Sequence, residues 1–136
     1  MKRADYSPAE VRLTCELHSM AEIQIFLHAL QCVDELQLRR GKYPSMYEAG
    51  VVHYQREKRG HEEWQTARDM MRTHQGDCED LAAWRAAELR ASGVDKAATA
   101  IIKRIHTGLI HCLVRRGDGT IEDPSKRLGM GRNRKG

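Results

Sequence analysis

Residues 75–84 read QGDCEDLAAW and place a cysteine where a turn passes into an alanine-rich run. Asp77 can cap a helix at this point, and Asp80, three residues later, can complete a capping box. The run that follows is apolar on almost every side as far as residue 91, which is typical of a buried central helix. The pattern therefore predicts such a helix with Cys78 at its first position.

A thiol at the start of a helix lies beside free backbone N–H groups and the positive end of the helix dipole. Both lower the pKa of a thiol, and a thiolate is the usual nucleophile of cysteine enzymes. The acids Asp77, Glu79 and Asp80 oppose ionisation, so a reactive Cys78 needs a histidine partner. The alternative that these ten residues leave open is a buried structural cysteine.

A β-hairpin with a histidine in its first strand is predicted by residues 107–125, TGLIHCLVRRGDGTIEDPS. If residues 117–119 form a three-residue loop, Leu113 faces Asp123, and His111 is a diagonal neighbour of Asp123 on the same face. Their backbones would then lie about 7–8 Å apart, within reach of a side-chain hydrogen bond. A two-residue turn would put them on opposite faces, and we expect the three-residue loop.

Cysteine, histidine and aspartate thus follow one another in the order and setting of a known catalytic arrangement. The chain resembles a transglutaminase-like domain, a branch of the papain-like cysteine peptidase superfamily. The resembling motifs are GDCEDLA at 76–82, GV at 93–94, HCLV at 111–114 and EDPS at 122–125. The resemblance covers approximately residues 43–130, and compact domains of this kind also occur in tailed bacteriophages, often among genes for particle assembly.

The resemblance implies an α+β fold with a papain-like core, in which the cysteine helix packs on a short antiparallel sheet. A long N-terminal helical segment, which lies outside the resemblance, is expected to precede this core. The resemblance also implies a thiol acyl-transfer enzyme, either a cysteine peptidase, an amidase or a transglutaminase. Cys78 would be the nucleophile, His111 its partner and Asp123 the residue that orients the imidazole. The expected substrate is a peptide or protein, peptidoglycan peptides included, and no cofactor or metal is expected.

The oxyanion of the reaction requires hydrogen-bond donors. The backbone N–H of Cys78 is the first expected donor. Gln75 is favoured as the second, with Gln55 and Trp64 as alternatives, although a core position is the preferred interpretation of Trp64.

Two other functions are weighed. The first is a non-enzymatic phage virion or assembly component, which keeps the fold as a docking module and contacts phage structural proteins through its N-terminal helices and basic tail. The second is metal binding by four chemically suitable ligands, Cys78, His111, Cys112 and Asp123. Residues 111 and 112 point to opposite faces of a strand, which disfavours a shared ion.

The N-terminal segment, residues 1–41, has apolar residues at helical spacing. Ser7 with Glu10 predicts the helix start, and Arg39, Arg40 and Gly41 predict its end. A second capping box, Ser19 with Glu22, leaves open whether there is one bent helix or two. Metal binding by this segment is disfavoured because thiols on an amphipathic helix are usually core filler, and the residues concerned are Cys15, His18, His28 and Cys32.

The middle of the chain, residues 42–63, is predicted to be connecting structure with a short strand around residues 51–54. A short helix is predicted to begin at Thr66. Residues 50–64 and 94–107 are predicted to be loops that line the cleft.

Composition limits the class of protein. The 136 residues are predicted to form one globular domain, with a cysteine-enzyme core at 42–130 and a flexible basic tail at 131–136. The net charge is +4, and the last eleven residues carry five positive charges and no acid, so the rest carries −1. Nucleic acid is therefore not an expected partner.

Location follows from what the sequence lacks. Its four cysteines include no CxxC pair, and no apolar run approaches the ~20 residues of a membrane span. We expect no membrane association, and a cytoplasmic or virion-associated location.

Overall fold

The computed structural model describes residues 19–57, 63–106 and 109–131, which form a mixed α+β fold and confirm that class. The predicted helix start at Ser7, together with Cys15, His18 and tail residues 132–136, lies outside the described residues. The helices are α1 (Met20–Arg40), α2 (Ala67–Thr73), α3 (Cys78–Ala91) and α4 (Pro124–Arg127). The strands are β1 (His53–Tyr54), β2 (Gln75–Gly76), β3 (Thr99–His106), β4 (Leu109–Arg115) and β5 (Ile121–Glu122).

Helix α3 is the central helix, as predicted. Asp77 is its N-cap, the capping box with Asp80 is present, and Ser92 is the C-cap. The helix is buried on nearly all sides, since nine of its 14 residues are buried. Trp84, one of them, has no exposed surface and packs between α2 and the connecting segment. This burial fixes the position of the first turn of α3, which carries Cys78.

The larger sheet has the order β3-β4-β5 and is antiparallel throughout. Val114 pairs with Glu122, and the N–H of Arg116 donates to the carbonyl of Thr120 at 2.8 Å. Gly119, at φ +89°, supplies the left-handed conformation that the loop requires. The predicted three-residue loop and its register are therefore confirmed.

Strand β3 corrects one prediction, because residues 94–107 were expected to form a loop. Thr99, Ile101 and Ile102 are β-branched and favour a strand. The charged residues that follow them mask this preference in the sequence. The strand exists because its whole length pairs with β4.

Helix α1 begins after Ser19, whose side chain accepts the N–H of Glu22 at 3.2 Å, and it ends at Gly41 as predicted. Leu27 and Leu30 pack against the alanines of α3, so α1 belongs to the same core. The thiol of Cys32 is exposed, and the interpretation of this cysteine as core filler is wrong.

His28, on the same helix, is also exposed. Among the described residues, no helix is both long and apolar enough to cross a membrane.

Two glutamines of α1 cover the open edge of β3. Gln31 donates to the carbonyl of Ala98 at 3.3 Å and accepts the N–H of Ala100 at 2.8 Å. Gln24 donates to the carbonyl of Ala100 and accepts the N–H of Ile102, both at 2.9 Å. Each amide thus replaces the partner that a neighbouring strand would supply, which protects an edge that would otherwise be open to pairing.

Replacement of Gln31 by alanine should lower the free energy of unfolding by about 1–3 kcal/mol, because two buried backbone groups lose their partners. Urea denaturation measures the change, with the exposed His28→Ala on the same helix as the control. Equal stability of the two variants would contradict this account of the edge.

The short strand of the connecting segment lies beside the turn that precedes Cys78. Strand β1 confirms the predicted strand and pairs in parallel with β2, which joins α2 to α3. The N–H of Gln55 donates to the carbonyl of Gly76 at 2.9 Å. A Cβ at Gly76 would lie 2.6 Å from the sulfur of Met70, so only glycine allows this turn to pack so closely on α2.

Candidate active site

Three separate parts of the fold carry the predicted catalytic residues. Cys78 begins α3, His111 lies in β4 and Asp123 follows β5 as the N-cap of α4. The imidazole Nε2 of His111 lies 3.0 Å from Oδ2 of Asp123. The other oxygen of Asp123, Oδ1, accepts the N–H of Lys126 at 3.1 Å. The cap therefore fixes the carboxylate, and the carboxylate orients the imidazole.

The imidazole of His111 and the thiol of Cys78 lie close enough for each to shift the pKa of the other. Because Asp123 engages Nε2, the nitrogen left for the sulfur is Nδ1. The structure thus brings the sulfur, the imidazole and the carboxylate together, and the register of the hairpin is the reason.

The thiol of Cys78 lies in surroundings that disfavour its ionisation. Hydrogen bonding with the Cys112 thiol and burial raise its pKa, while hydrogen bonding with His111 lowers it, and the net direction is upward. The Sγ of Cys78 also donates to Oε2 of Glu79 at 3.5 Å. The net shift is therefore opposite to the lowering that the helix start predicted. Its cause, a second sulfur from a distant strand, has no signal in the local sequence.

The pKa of His111 is raised to about 9. Hydrogen bonding with Cys78 and with Asp123 raises it, and burial opposes both. At neutral pH the imidazole is therefore protonated and paired with the Asp123 carboxylate. The stability from this pairing is full below the ordinary histidine pKa of about 6.5 and is lost as the pH rises through about 9.

Two further acids at the start of α3 are buried. Asp80 accepts the N–H of Gln65 at 2.7 Å and that of Asp77 at 3.1 Å, so it joins the residues before α2 to the turn that precedes Cys78. Burial and the neighbouring Glu79 raise the pKa of Asp80. Burial, followed by the charge of Asp77, raises the pKa of Glu79 to about 8. The capping pattern identified Asp80, but nothing in the sequence indicated that Glu79 is buried.

Replacement of Glu79 by glutamine should stabilise the protein at pH 8 and have little effect at pH 4. The folded state holds the Glu79 proton more tightly than the unfolded chain, so this advantage is full below pH ~4.3 and is lost as the pH rises through about 8. Urea denaturation at several pH values measures the difference. The account of a buried acid would be contradicted if the change in the free energy of unfolding on Glu79→Gln stayed constant across this pH range. A change equal to that of the exposed Glu48→Gln would contradict it as well.

The expected oxyanion donors are only partly available. The backbone N–H of Cys78, the first expected donor, donates to Oδ1 of Asp77 at 2.7 Å. Gln75 and Gln55 line one cleft of 310 Å³ beside Asp77. Trp64, the third candidate, packs against the core instead.

The cleft beside Asp77 is polar. It is also lined by Arg56, Glu57, Gln65 and Gly76. Cys78 is not among its lining residues, so the cleft adjoins the thiol rather than containing it.

Glu122, next to Asp123, is the centre of an ion-pair cluster that the sequence did not reveal. It accepts hydrogen bonds from Arg85 of α3, Arg116 of the hairpin and Tyr47 of the connecting segment. Burial alone would raise the pKa of Glu122, but these hydrogen bonds lower it to about 2. The cluster ties β5, and with it Asp123, to the cysteine helix.

The possible metal ligands that the structure brings together differ from those that the sequence suggested. Within residues 19–57, 63–106 and 109–131, the ligand atoms that lie within 4.8 Å of one another belong to Asp77, Cys78 and Glu79. They are not the four residues that the sequence suggested. All three of these side chains already hydrogen bond within the cluster or to the backbone.

No family model matches this chain, and no curated protein and no solved structure matches it.

Proposed function

We propose that this protein is a thiol acyl-transfer enzyme in which Cys78 is the nucleophile, His111 the acid and base, and Asp123 the orienting carboxylate. One observation carries the proposal. His111 hydrogen bonds to Asp123 at 3.0 Å through Nε2, and the Cys78 thiol lies close enough to raise the pKa of the same imidazole. This is the relation of groups that nucleophilic catalysis by a weakly acidic thiol requires.

We also propose that the fold is transglutaminase-like, of the papain-like superfamily and the compact bacteriophage type. A central helix that begins with the cysteine, and an antiparallel sheet that carries the histidine and leads to the aspartate, support this. This support comes from the arrangement of the helix and the sheet and from the order of the motifs in the sequence.

In the first chemical step, Nδ1 of His111 takes the thiol proton while Sγ of Cys78 attacks the carbonyl carbon of an amide. The imidazolium then gives this proton to the leaving amine as the C–N bond breaks, and a thioester on Cys78 results. Water or a second amine attacks the thioester, again with His111 as the base, and Cys78 leaves as the thiol. Water yields a peptidase or amidase reaction, and an amine yields a transglutaminase reaction.

The reactive form of the pair has one proton fewer than the form that predominates at neutral pH, because both His111 and Cys78 are protonated there. It accumulates as the pH rises toward about 9. Acylation should therefore be faster at pH 9 than at pH 7. The cleft beside Asp77 adjoins the thiol in the chain, and Gln55, Gln65 and Gln75, which line it, have amide groups that can donate to a substrate backbone.

A second candidate is the non-enzymatic assembly component, and one observation favours it. The thiol of Cys78 is held in its neutral form by Cys112 and burial, as in a structural cysteine. In that case the protein would bind phage structural proteins, and the side chains of Cys78, His111 and Asp123 would stabilise the fold.

An activated ester distinguishes the two candidates without knowledge of the natural substrate. Incubation with p-nitrophenyl acetate should release nitrophenolate and leave one acetyl group on Cys78, located by peptide mass spectrometry. The Cys78→Ala variant is the control for acetylation at other residues. An alternative result is that nitrophenolate release proceeds at the same rate in Cys78→Ala as in the unaltered protein, with acetyl groups only on lysines or other cysteines. This result would favour the docking module and contradict the enzyme proposal.

A further inference from the structure

Helix α1 has a second apolar face besides the one that packs in the core. Its buried face holds Leu27, Leu30 and Asp34. In a helix of ~3.6 residues per turn, the positions half a turn away form a row of exposed apolar residues, namely Ile25, Ala29, Cys32 and Leu36. Ile25 is 67% exposed and Leu36 is 55% exposed. Since the outer face of a helix is normally polar, this row indicates a surface that binds a partner.

The exposed row has the spacing of a coiled-coil seam. Its members are four, three and four positions apart, and a further step of three at each end reaches Glu22 and Arg39. These six positions form the α1 seam, which consists of Glu22, Ile25, Ala29, Cys32, Leu36 and Arg39. Alternating steps of three and four keep side chains in line along a neighbouring helix. The α1 seam therefore fits another helix with the same spacing.

The charges of the α1 seam favour a second copy of the same helix in the opposite direction. Glu22 lies in the first turn of α1 and Arg39 in the last. In an antiparallel pair with a two-fold axis between positions 30 and 31, each charge meets its opposite and each apolar residue meets another. The facing pairs are Glu22 with the partner's Arg39, Ile25 with the partner's Leu36, and Ala29 with the partner's Cys32.

A parallel pair is disfavoured, because it would place Glu22 against Glu22 and Arg39 against Arg39. Arg39 also pairs with Glu35 of its own helix at 2.8 Å, and its side chain is 52% exposed. A second carboxylate can therefore approach its guanidinium from solvent.

A groove beside the α1 seam provides room for a side chain of the partner. It has a volume of 460 Å³ and lies between α1 and β3, where the partner's Leu36 would face Ile25. Its lining residues are Gln24, Ile25, His28, Thr99, Ile101 and Arg115. The groove extends the contact from the helix to the sheet. A stable dimer needs this extension, because a specific interface buries ~800 Å² on each partner, which a single row of side chains does not supply.

We propose that this protein forms a two-fold symmetric homodimer in which the α1 seams of the two copies pack antiparallel. The proposal goes beyond the acyl-transfer function and does not rest on it, because the α1 seam includes none of Cys78, His111 and Asp123. A dimer in which Cys78 is not acylated would contradict the proposed function alone.

Sedimentation equilibrium of the full chain tests for the dimer. The unaltered protein should have twice the mass of one chain. Leu36→Glu places a charge at two sites of the interface and should raise the dissociation constant by about 100-fold or more. Val94→Glu, at an apolar residue just after α3 that is 72% exposed, is the control and should leave the dimer unchanged. Circular dichroism verifies that each variant is folded.

Cysteine cross-linking tests the orientation of the two helices. In a Cys15→Ser, Cys32→Ser background, the variants Glu22→Cys and Arg39→Cys are oxidised separately and as a mixture. Peptide mapping of the mixture should find position 22 of one chain joined to position 39 of the other. Each variant alone should give no such link, because positions 22 and 39 lie about 25 Å apart along α1.

Three results would overturn the proposal. The first is an unaltered protein that is a monomer at its highest soluble concentration, in which case another molecule or another segment of the chain covers this face. The second is a Leu36→Glu dimer as stable as that of Val94→Glu. The third is cross-linking of position 22 to 22 or of 39 to 39 without any link between 22 and 39. The cross-linking decides the question even if Leu36→Glu does not fold.

Discussion

Replacement of His111 by alanine is expected to slow acetylation of Cys78 by about 10²–10⁴-fold, the usual contribution of a positioned acid and base. The variant lacks the group that takes the thiol proton, and the thiol that remains is held neutral by Cys112 and burial. The rate of nitrophenolate release at pH 8 measures the loss. His28→Ala, an exposed histidine on α1, is the matched control and should retain the rate.

Asp123→Asn refines this prediction. Asparagine keeps an oxygen that can cap α4, so the fold should be retained, but the charge beside Nε2 of His111 is lost. The rate should fall, and its rise with pH should move to lower pH because Asp123 no longer raises the pKa of His111. An Asn variant with an unchanged rate and pH profile would show that the carboxylate only caps the helix.

Replacement of Glu122 by glutamine is expected to have the largest effect on stability. The change leaves the guanidinium groups of Arg85 and Arg116 without their shared carboxylate, and these side chains are only 14% and 28% exposed. Loss of one partner from a buried ion pair usually costs 3–5 kcal/mol. Because this cluster is partly open to water, we expect a loss of about 3 kcal/mol in the free energy of unfolding.

Urea denaturation at pH 7 measures this loss, with Glu48→Gln, an exposed residue, as the control. The pKa of Glu122 is lowered in the fold, so its contribution is present above the ordinary glutamate pKa of ~4.3 and is lost as the pH falls through about 2. The difference between protein and variant should therefore shrink in that interval. A difference under about 0.5 kcal/mol at pH 7, typical of a surface change, would contradict the proposed role of the cluster.

The structural features that could be predicted from the sequence are those determined by residues close together in the chain. The start of α3 depends on Asp77 and Asp80, which are three residues apart and satisfy each other's backbone groups. The meeting of His111 with Asp123 depends on the length of one loop, since loop length sets the hairpin register. Both follow from spacing alone, and both are confirmed.

The features that the sequence did not predict depend on contacts between distant segments. The raised pKa of Cys78 comes from Cys112, 34 positions away, and the ion pairs of Glu122 reach α3 and the connecting segment. Strand β3 is a strand because β4 pairs with it and α1 covers its edge. A local sequence pattern does not indicate which distant segments pack together. The raised pKa, the ion pairs and the pairing of β3 are therefore visible only in the structure.

The central claim is that His111 activates Cys78, and the rate of Cys78 alkylation as a function of pH tests it most directly. In a Cys15→Ser, Cys32→Ser background, iodoacetamide labelling of Cys78 is measured by peptide mass spectrometry with and without His111→Ala. Since His111 lowers the pKa of this thiol, the protein with His111 should react at lower pH and faster at pH 8 than the variant. Superimposable profiles would mean that the imidazole does not act on the sulfur, and would contradict the account.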